Sequence, residues 1–250
     1  MFHVIGITPI SPLRQEPSHR AEMVSQLLFG EMAEILNRSG DFVQVRTLYD
    51  QYVGWVQASQ VTEVMESWLE KSKILGYIDK ATTIKVAGGP MLVYPGTPVW
   101  KGPTMAGIKV DYGSLPSLKP KHKTKRSLQK AAMAYMNTAY LWGGKTTAGT
   151  DCSGFVQQVY KLFGVELPRD ACQQATRGEV IGFLEESQPG DLAFFDNAEG
   201  TITHVGILLG PNKIIHASGQ VRIDMIDSQG IKQKLSRKRT HFLRIIKRVW

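Results

Sequence analysis

The sequence predicts an α+β fold, with helices packed on an antiparallel sheet in the C-terminal half and two small all-β barrels before it. Three observations predict this. Residues 1 to about 118 break into short β-branched runs bounded by turn residues. Two stretches beyond residue 126 carry apolar residues at helical spacing. After them come the apolar runs DLAFFD, HVGILLG and KIIHAS, joined by tight turns. Helices followed by consecutive strands is the order of an α+β layer, not of alternating βαβ units. The expected division is a first barrel at 1–62, a second and more divergent one at 63–117, a linker at 118–126 and a larger domain at 127–250.

In the first half, Arg38 to Asp41 and Gly88 to Pro90 read as turns between runs too short and too β-branched for helices. The segment SLPSLKPKHKTKR mixes Pro, Lys and Ser without apolar periodicity, as linkers do. In SLQKAAMAYMNTAY, Leu128, Ala131, Ala132, Tyr135, Met136 and Ala139 recur at helical spacing, with Ser127 as the expected N-cap. A second helix follows TDCSGF, with Phe155, Val156, Val159, Tyr160 and Phe163 on one face and Gly164 as its stop.

The chain has 250 residues, 30 Lys and Arg against 22 Asp and Glu, and a formal charge of +8. Basic residues cluster between Lys119 and Lys130 and between Lys232 and Arg248. The first cluster falls in the linker, and HFLRIIKR alternates like a strand with a solvated basic face. No interleaved aromatics accompany either, so no nucleic-acid partner is expected. No apolar run approaches the roughly 18 residues of a membrane span, so none is expected. The N-terminus shows neither a basic n-region nor a cleavage site. The expected location is therefore cytoplasmic, or extracytoplasmic if the chain is cut from a longer precursor.

Two cysteines, Cys152 and Cys172, are too few for a disulfide framework. Thr150 and Asp151 are good capping residues, which places Cys152 in the first helical turn. Unpaired backbone N–H groups and the helix dipole there favour a thiolate, so an acidic Cys152 is expected. Candidate bases sit across a hairpin. Folding HVGILLGPNKIIH about Gly210 or Pro211 pairs positions summing to 420 or 422, so His204 lies opposite His216 or one diagonal step away. One histidine then serves as base while the other orients it. A zinc site from Cys152, Cys172, His204 and His216 is disfavoured, because the cysteines form no close C-x₂₋₄-C pair. No metal or cofactor is expected.

The motifs YLWGG, TDCSGFV, LPRDACQQA, QPGDLAFF, HVGILL and IIHASG, in this order, resemble the NlpC/P60 family of cysteine peptidases. The resemblance implies a papain-like fold, with Cys152 as nucleophile, His204 as general base and His216 as the third polar residue. Residues 10 to 62, with Gly54 to Val56 as a G-W-V element, resemble a bacterial SH3-like domain. Members of the family cleave peptidoglycan stem peptides between γ-D-glutamate and a diamino acid.

Members with SH3-like domains require a free N-terminal L-Ala and release L-Ala-γ-D-Glu. Their Arg-Asp-Ser pattern falls on Arg169, Asp170 and Ala171, so Asp170 would meet the substrate ammonium, while Ala171 lacks the hydroxyl. Tyr140 would complete an oxyanion hole with the Cys152 N–H. Trp142 would form a pocket wall, and Ser153, Arg169, Glu16 and Tyr52 would complete substrate binding. The expected partner is a murein tri- or tetrapeptide with a free L-Ala terminus. Two other readings of the chain are a peptidoglycan-binding module and a thioester-forming acyltransferase on the same fold. The sequence leaves the oligomeric state open.

Overall fold

The computed structural model describes residues 2–113, 124–233 and 238–250, in two compact units, 1–120 and 121–250. The sequence-predicted linker at 118–126 lies largely outside the described residues, as do Lys234 and Arg237 of the C-terminal basic cluster.

In the N-terminal unit, seven antiparallel strands run in the order Met23–Leu28, Ile10–Arg14, Val53–Gln57, Phe42–Thr47, Met32–Ser39, His3–Gly6 and Val61–Val64. The turn expected at Arg38 to Asp41 is the hairpin that pairs Ser39 with Phe42, and Gly40 adopts the positive φ it requires. Alternate residues Leu13, Leu27, Val43, Val45 and Val56 fill the sheet's interior. Downstream, a helix Glu66–Lys71 interrupts the expected all-β stretch. Short strands between Ile74 and Asp111 then follow. Their core residues Ile78, Ile84, Val93 and Trp100 pack with Ile5, Phe29 and Met32 of the first sheet. The Trp100 indole N–H donates to Gly30 O at 3.0 Å.

The C-terminal unit begins with a helix Lys125–Met133, not one starting after Ser127. Thr124 is its N-cap, and Ser127 is the third helical residue of a capping box in which each side chain meets the other's backbone N–H. The helix also ends earlier than the periodicity suggested. Asn137 takes a positive φ and donates its N–H to Val221 O, which draws the chain to the sheet. Tyr135 remains fully buried, whereas Ala139 is exposed.

The second helix, Cys152–Lys161, is buried on every side, including Gln157, Gln158 and Lys161. It packs against strands Ile202–Gly210 and Lys213–Ser218. These belong to an antiparallel sheet in the order Glu179–Ile181, Arg239–Arg248, Leu192–Asp196, Ile202–Gly210, Lys213–Ser218, Gln220–Asp227 and Gly230–Lys232. The last of these pairs again with Arg239–Arg248, which closes six strands into a barrel. The sequence foresaw the antiparallel sheet but not its closure. The strand carrying HFLRIIKR forms as expected, yet its basic face is only partly solvated. Lys247 is buried, Arg248 pairs with Asp191 at 2.7 Å, and Arg239 pairs with Asp227 at 2.6 Å. No helix among the described residues is long and apolar enough to cross a membrane.

Candidate active site

Cys152 is the first residue of its helix, as expected, and Asp151 is the N-cap. The Asp151 carboxylate accepts from the Gly154 N–H at 2.7 Å and from the Gly143 N–H at 2.9 Å. Gly154 is required, because a Cβ there would lie 2.2 Å from Gly144 O. Behind the cap, the fully buried Arg169 guanidinium donates to both Asp151 oxygens and, at 3.0 Å, to Ser153 Oγ.

The thiol side of the site faces the strand that carries His204. Cys152 Sγ is 4.0 Å from Thr203 O, and both cysteines are free. The hairpin takes the second expected register, with Gly206 opposite His216, so His204 lies one diagonal step from its partner. Their nitrogens Nε2 and Nδ1 are 2.9 Å apart, and both rings are buried. Gly206 makes this approach possible, since a Cβ there would meet His216 Cβ at 2.9 Å. Beyond His216, Nε2 reaches Asp224 Oδ2 at 3.2 Å, and Arg222 Nε donates to the same oxygen at 2.8 Å. His241, from the last strand, stacks on His204 with centroids 4.1 Å apart.

Burial, then the nearby Asp151 charge, pushes the Cys152 thiol up to about 11. Backbone N–H groups of Val205 and Ser153 and the Arg169 charge pull it down less. The helix terminus therefore does not make Cys152 acidic, which corrects the expectation from its capping position: desolvation outweighs the dipole. Burial and neighbouring positive groups hold His204 well below its ordinary value. At neutral pH, therefore, Cys152 is a thiol and His204 a neutral imidazole.

In Cys172→Ser protein, the rate of Cys152 alkylation by iodoacetamide should therefore climb about tenfold per pH unit from neutrality upward, because only thiolate reacts. A plateau beginning below the ordinary thiol range would show a preformed thiolate–imidazolium pair.

The other expected site residues divide into two groups. Tyr140 is half-buried, and burial with the Cys152 and Asp151 charges raises its phenol, so it stays a neutral donor beside the sulfur. Trp142 is exposed next to it, and Asp170 is partly exposed at the N-cap of the short helix Ala171–Gln174. Arg169 and Ser153, expected to touch substrate, are instead buried and bonded to Asp151. Glu16 is exposed in the turn after Ile10–Arg14, and Tyr52 is half-buried at the Phe42–Thr47 hairpin, both in the N-terminal unit. What those two contact in a substrate rests on the resemblance alone.

Asp151, Asp224, Arg222 and His241 were not foreseen as site residues. Asp224 had a signal: folding HASGQVRID about Gly219 places Arg222 opposite His216, and Asp224 two residues on shares its face. Nitrogens of His204, His216 and His241 lie within 4.8 Å of one another, near enough to hold an ion. An ion there would have to break the His204–His216 bond, so the arrangement suits proton transfer better.

Residues 137–240 match the NlpC/P60 family, and residues 13–61 match the bacterial dipeptidyl-peptidase Sh3 domain. The chain is 28% identical to Dipeptidyl-peptidase 6 of Lysinibacillus sphaericus, over 91% of this chain and 93% of that protein. It is 40% identical to gamma-D-glutamyl-L-lysine dipeptidyl-peptidase of Bacillus subtilis, over 33% of this chain and only 28% of that protein. The crystal structure of a NlpC/P60 family protein from Bacillus cereus shares the fold, with a TM-score of 0.79 at 18% identity over 98% of this chain and 99% of that one. Residues 137–240 thus carry the NlpC/P60 domain of a cysteine peptidase, behind a bacterial dipeptidyl-peptidase Sh3 domain at 13–61, and within it the capped Cys152 faces the strand that brings His204 to His216.

Proposed function

We propose that the protein hydrolyses the γ-D-glutamyl–diamino acid bond of murein tri- and tetrapeptides that have a free N-terminal L-Ala, releasing L-Ala-γ-D-Glu. The observation that carries this reading is the placement of Asp170. Its chain neighbour Arg169 is locked to Asp151, the cap of the nucleophile's helix, so a partly exposed carboxylate is held in fixed relation to Cys152. A carboxylate is the partner an ammonium needs in a partly desolvated pocket. The names of the two curated relatives, both dipeptidyl-peptidases, support the same specificity.

In this mechanism the Cys152 sulfur attacks the γ-glutamyl carbonyl while His204 takes the thiol proton. Backbone N–H groups and the Tyr140 phenol receive the developing oxyanion. His204 then gives its proton to the departing amine of the diamino acid, leaving a thioester on Cys152. Water, deprotonated by His204, attacks the thioester. The dipeptide leaves as its carboxylate, and the thiol is restored. Short free wall peptides as substrates would place the enzyme in peptide recycling.

The test is incubation with L-Ala-γ-D-Glu-meso-diaminopimelate, its L-Lys counterpart and their N-acetylated forms, with products identified by mass spectrometry. Cleavage of the free peptides alone, and loss of that preference in Asp170→Asn, is the expected result. Equal cleavage of the acetylated peptides would remove the ammonium-reading role of Asp170.

A further inference from the structure

The histidine pair is followed by a buried carboxylate that the thioester chemistry above does not use. Asp224 is 3% exposed and its Oδ2 receives two groups, His216 Nε2 at 3.2 Å and Arg222 Nε at 2.8 Å. An ionised carboxylate only accepts hydrogen bonds. His216 therefore carries its proton on Nε2, which leaves Nδ1 with a lone pair. His204 Nε2, 2.9 Å away, must then be the donor of the bond between the rings. A neutral His204 with its proton on Nε2 has its lone pair on Nδ1, the one remaining nitrogen able to accept the thiol proton.

We propose that Asp224, held in place by Arg222, is a positioning residue that fixes the tautomers of both histidines and makes His204 Nδ1 the base. The inference rests on the cysteine-peptidase reading of Cys152 and His204. The Asp224–Arg222 pair also sets the balance of charge behind the imidazolium that forms during attack. Asp224 supports that positive charge through His216, and Arg222 opposes it.

The ionisable groups around the pair are His204, His216, Arg222, Asp224 and His241 from the barrel strands. Cys152, Asp151, Arg169 and Tyr140 add to these around the nucleophile's helix. Burial holds His216 down, Asp224 raises it, and Arg222 lowers His204, His216 and His241 alike.

The two partners therefore act in opposite directions, which a purely structural role would not do. Asp224→Asn removes the supporting charge, so the acid limb of the kcat/KM profile should move to lower pH. Its kcat should fall roughly tenfold or more with little change in KM, within the range that proton transfer supplies. Arg222→Gln removes the opposing charge, so the same limb should move to higher pH. Arg222 is 22% exposed, so this variant keeps the test alive if Asp224→Asn does not fold.

The decisive reading needs no turnover. In full-length Cys152→Ala protein with ¹⁵N-labelled histidines, His216 should show a protonated Nε2 and an unprotonated Nδ1, and His204 should show the same tautomer. Titrating the ring signals should give opposite displacements in the two variants. Reversed tautomers, or displacements of the same sign or none, would overturn the proposal. Failure to cleave any murein peptide would leave these signals unchanged and would count only against the substrate.

Discussion

Replacing His204 with alanine should lower kcat by roughly 10²–10⁴-fold, the usual contribution of a positioned general base, with a much smaller change in KM. The reason is the resting state. Burial holds the Cys152 thiol near 11, so at neutral pH very little thiolate exists without a base to form it. An enzyme that relied on the helix terminus to ionise its cysteine would keep more of its rate after loss of the histidine. Steady-state assays on the free tripeptide, with circular dichroism to confirm folding, separate the two cases. A loss of less than about tenfold would show that the proton leaves by another route.

Replacing Arg169 with leucine should cost about 3–5 kcal/mol of stability, because it leaves the buried Asp151 carboxylate without its counter-charge. The guanidinium is 1% exposed, and its contacts include Asp151 and Ser153. The same carboxylate caps the nucleophile's helix through the Gly154 N–H, so the damage reaches Cys152 directly. Lysine is not a conservative rescue, since a point charge cannot bond both carboxylate oxygens as the planar fork does. Urea titration gives the stability change. A variant as stable as the parent would show that Asp151 finds other partners. A variant changed only in KM would restore the direct substrate contact that the sequence suggested.

The histidine pair was legible because a hairpin is a local structure. Gly210 and Pro211 limit the register to two choices, and the structure takes one of them. The neighbouring hairpin about Gly219 offered the same arithmetic for Asp224. His241 was not legible, because its place depends on barrel closure. The last strand pairs with Leu192–Asp196 across a register shift between Phe194 and Phe195, and with Gly230–Lys232 across another. Each shift moves side chains between faces in a way no local pattern records.

The nucleophile's helix misled for a related reason. Its polar residues Gln157, Gln158 and Lys161 lie off the apolar face read from the sequence, yet all three are buried. Gln157 donates to Leu167 O at 3.0 Å, and Gln174 ties Ser153 O to Pro168 O. These polar side chains satisfy the backbone of the loop that carries Arg169 and Asp170, so the helix keeps no solvated side and the Cys152 thiol is desolvated with it. The error in the expected acidity of Cys152 follows from this, since capping chemistry is readable from neighbours in sequence and desolvation is not.

The most direct test of the account is to trap the thioester. The protein would be mixed briefly with L-Ala-γ-D-Glu-meso-diaminopimelate, quenched in acid, and read by intact and peptide-level mass spectrometry. One L-alanyl-γ-D-glutamyl group on the peptide containing Cys152, absent from Cys152→Ala, is the predicted result. Continued turnover by Cys152→Ala, or an acyl group found on Cys172 instead, would contradict it.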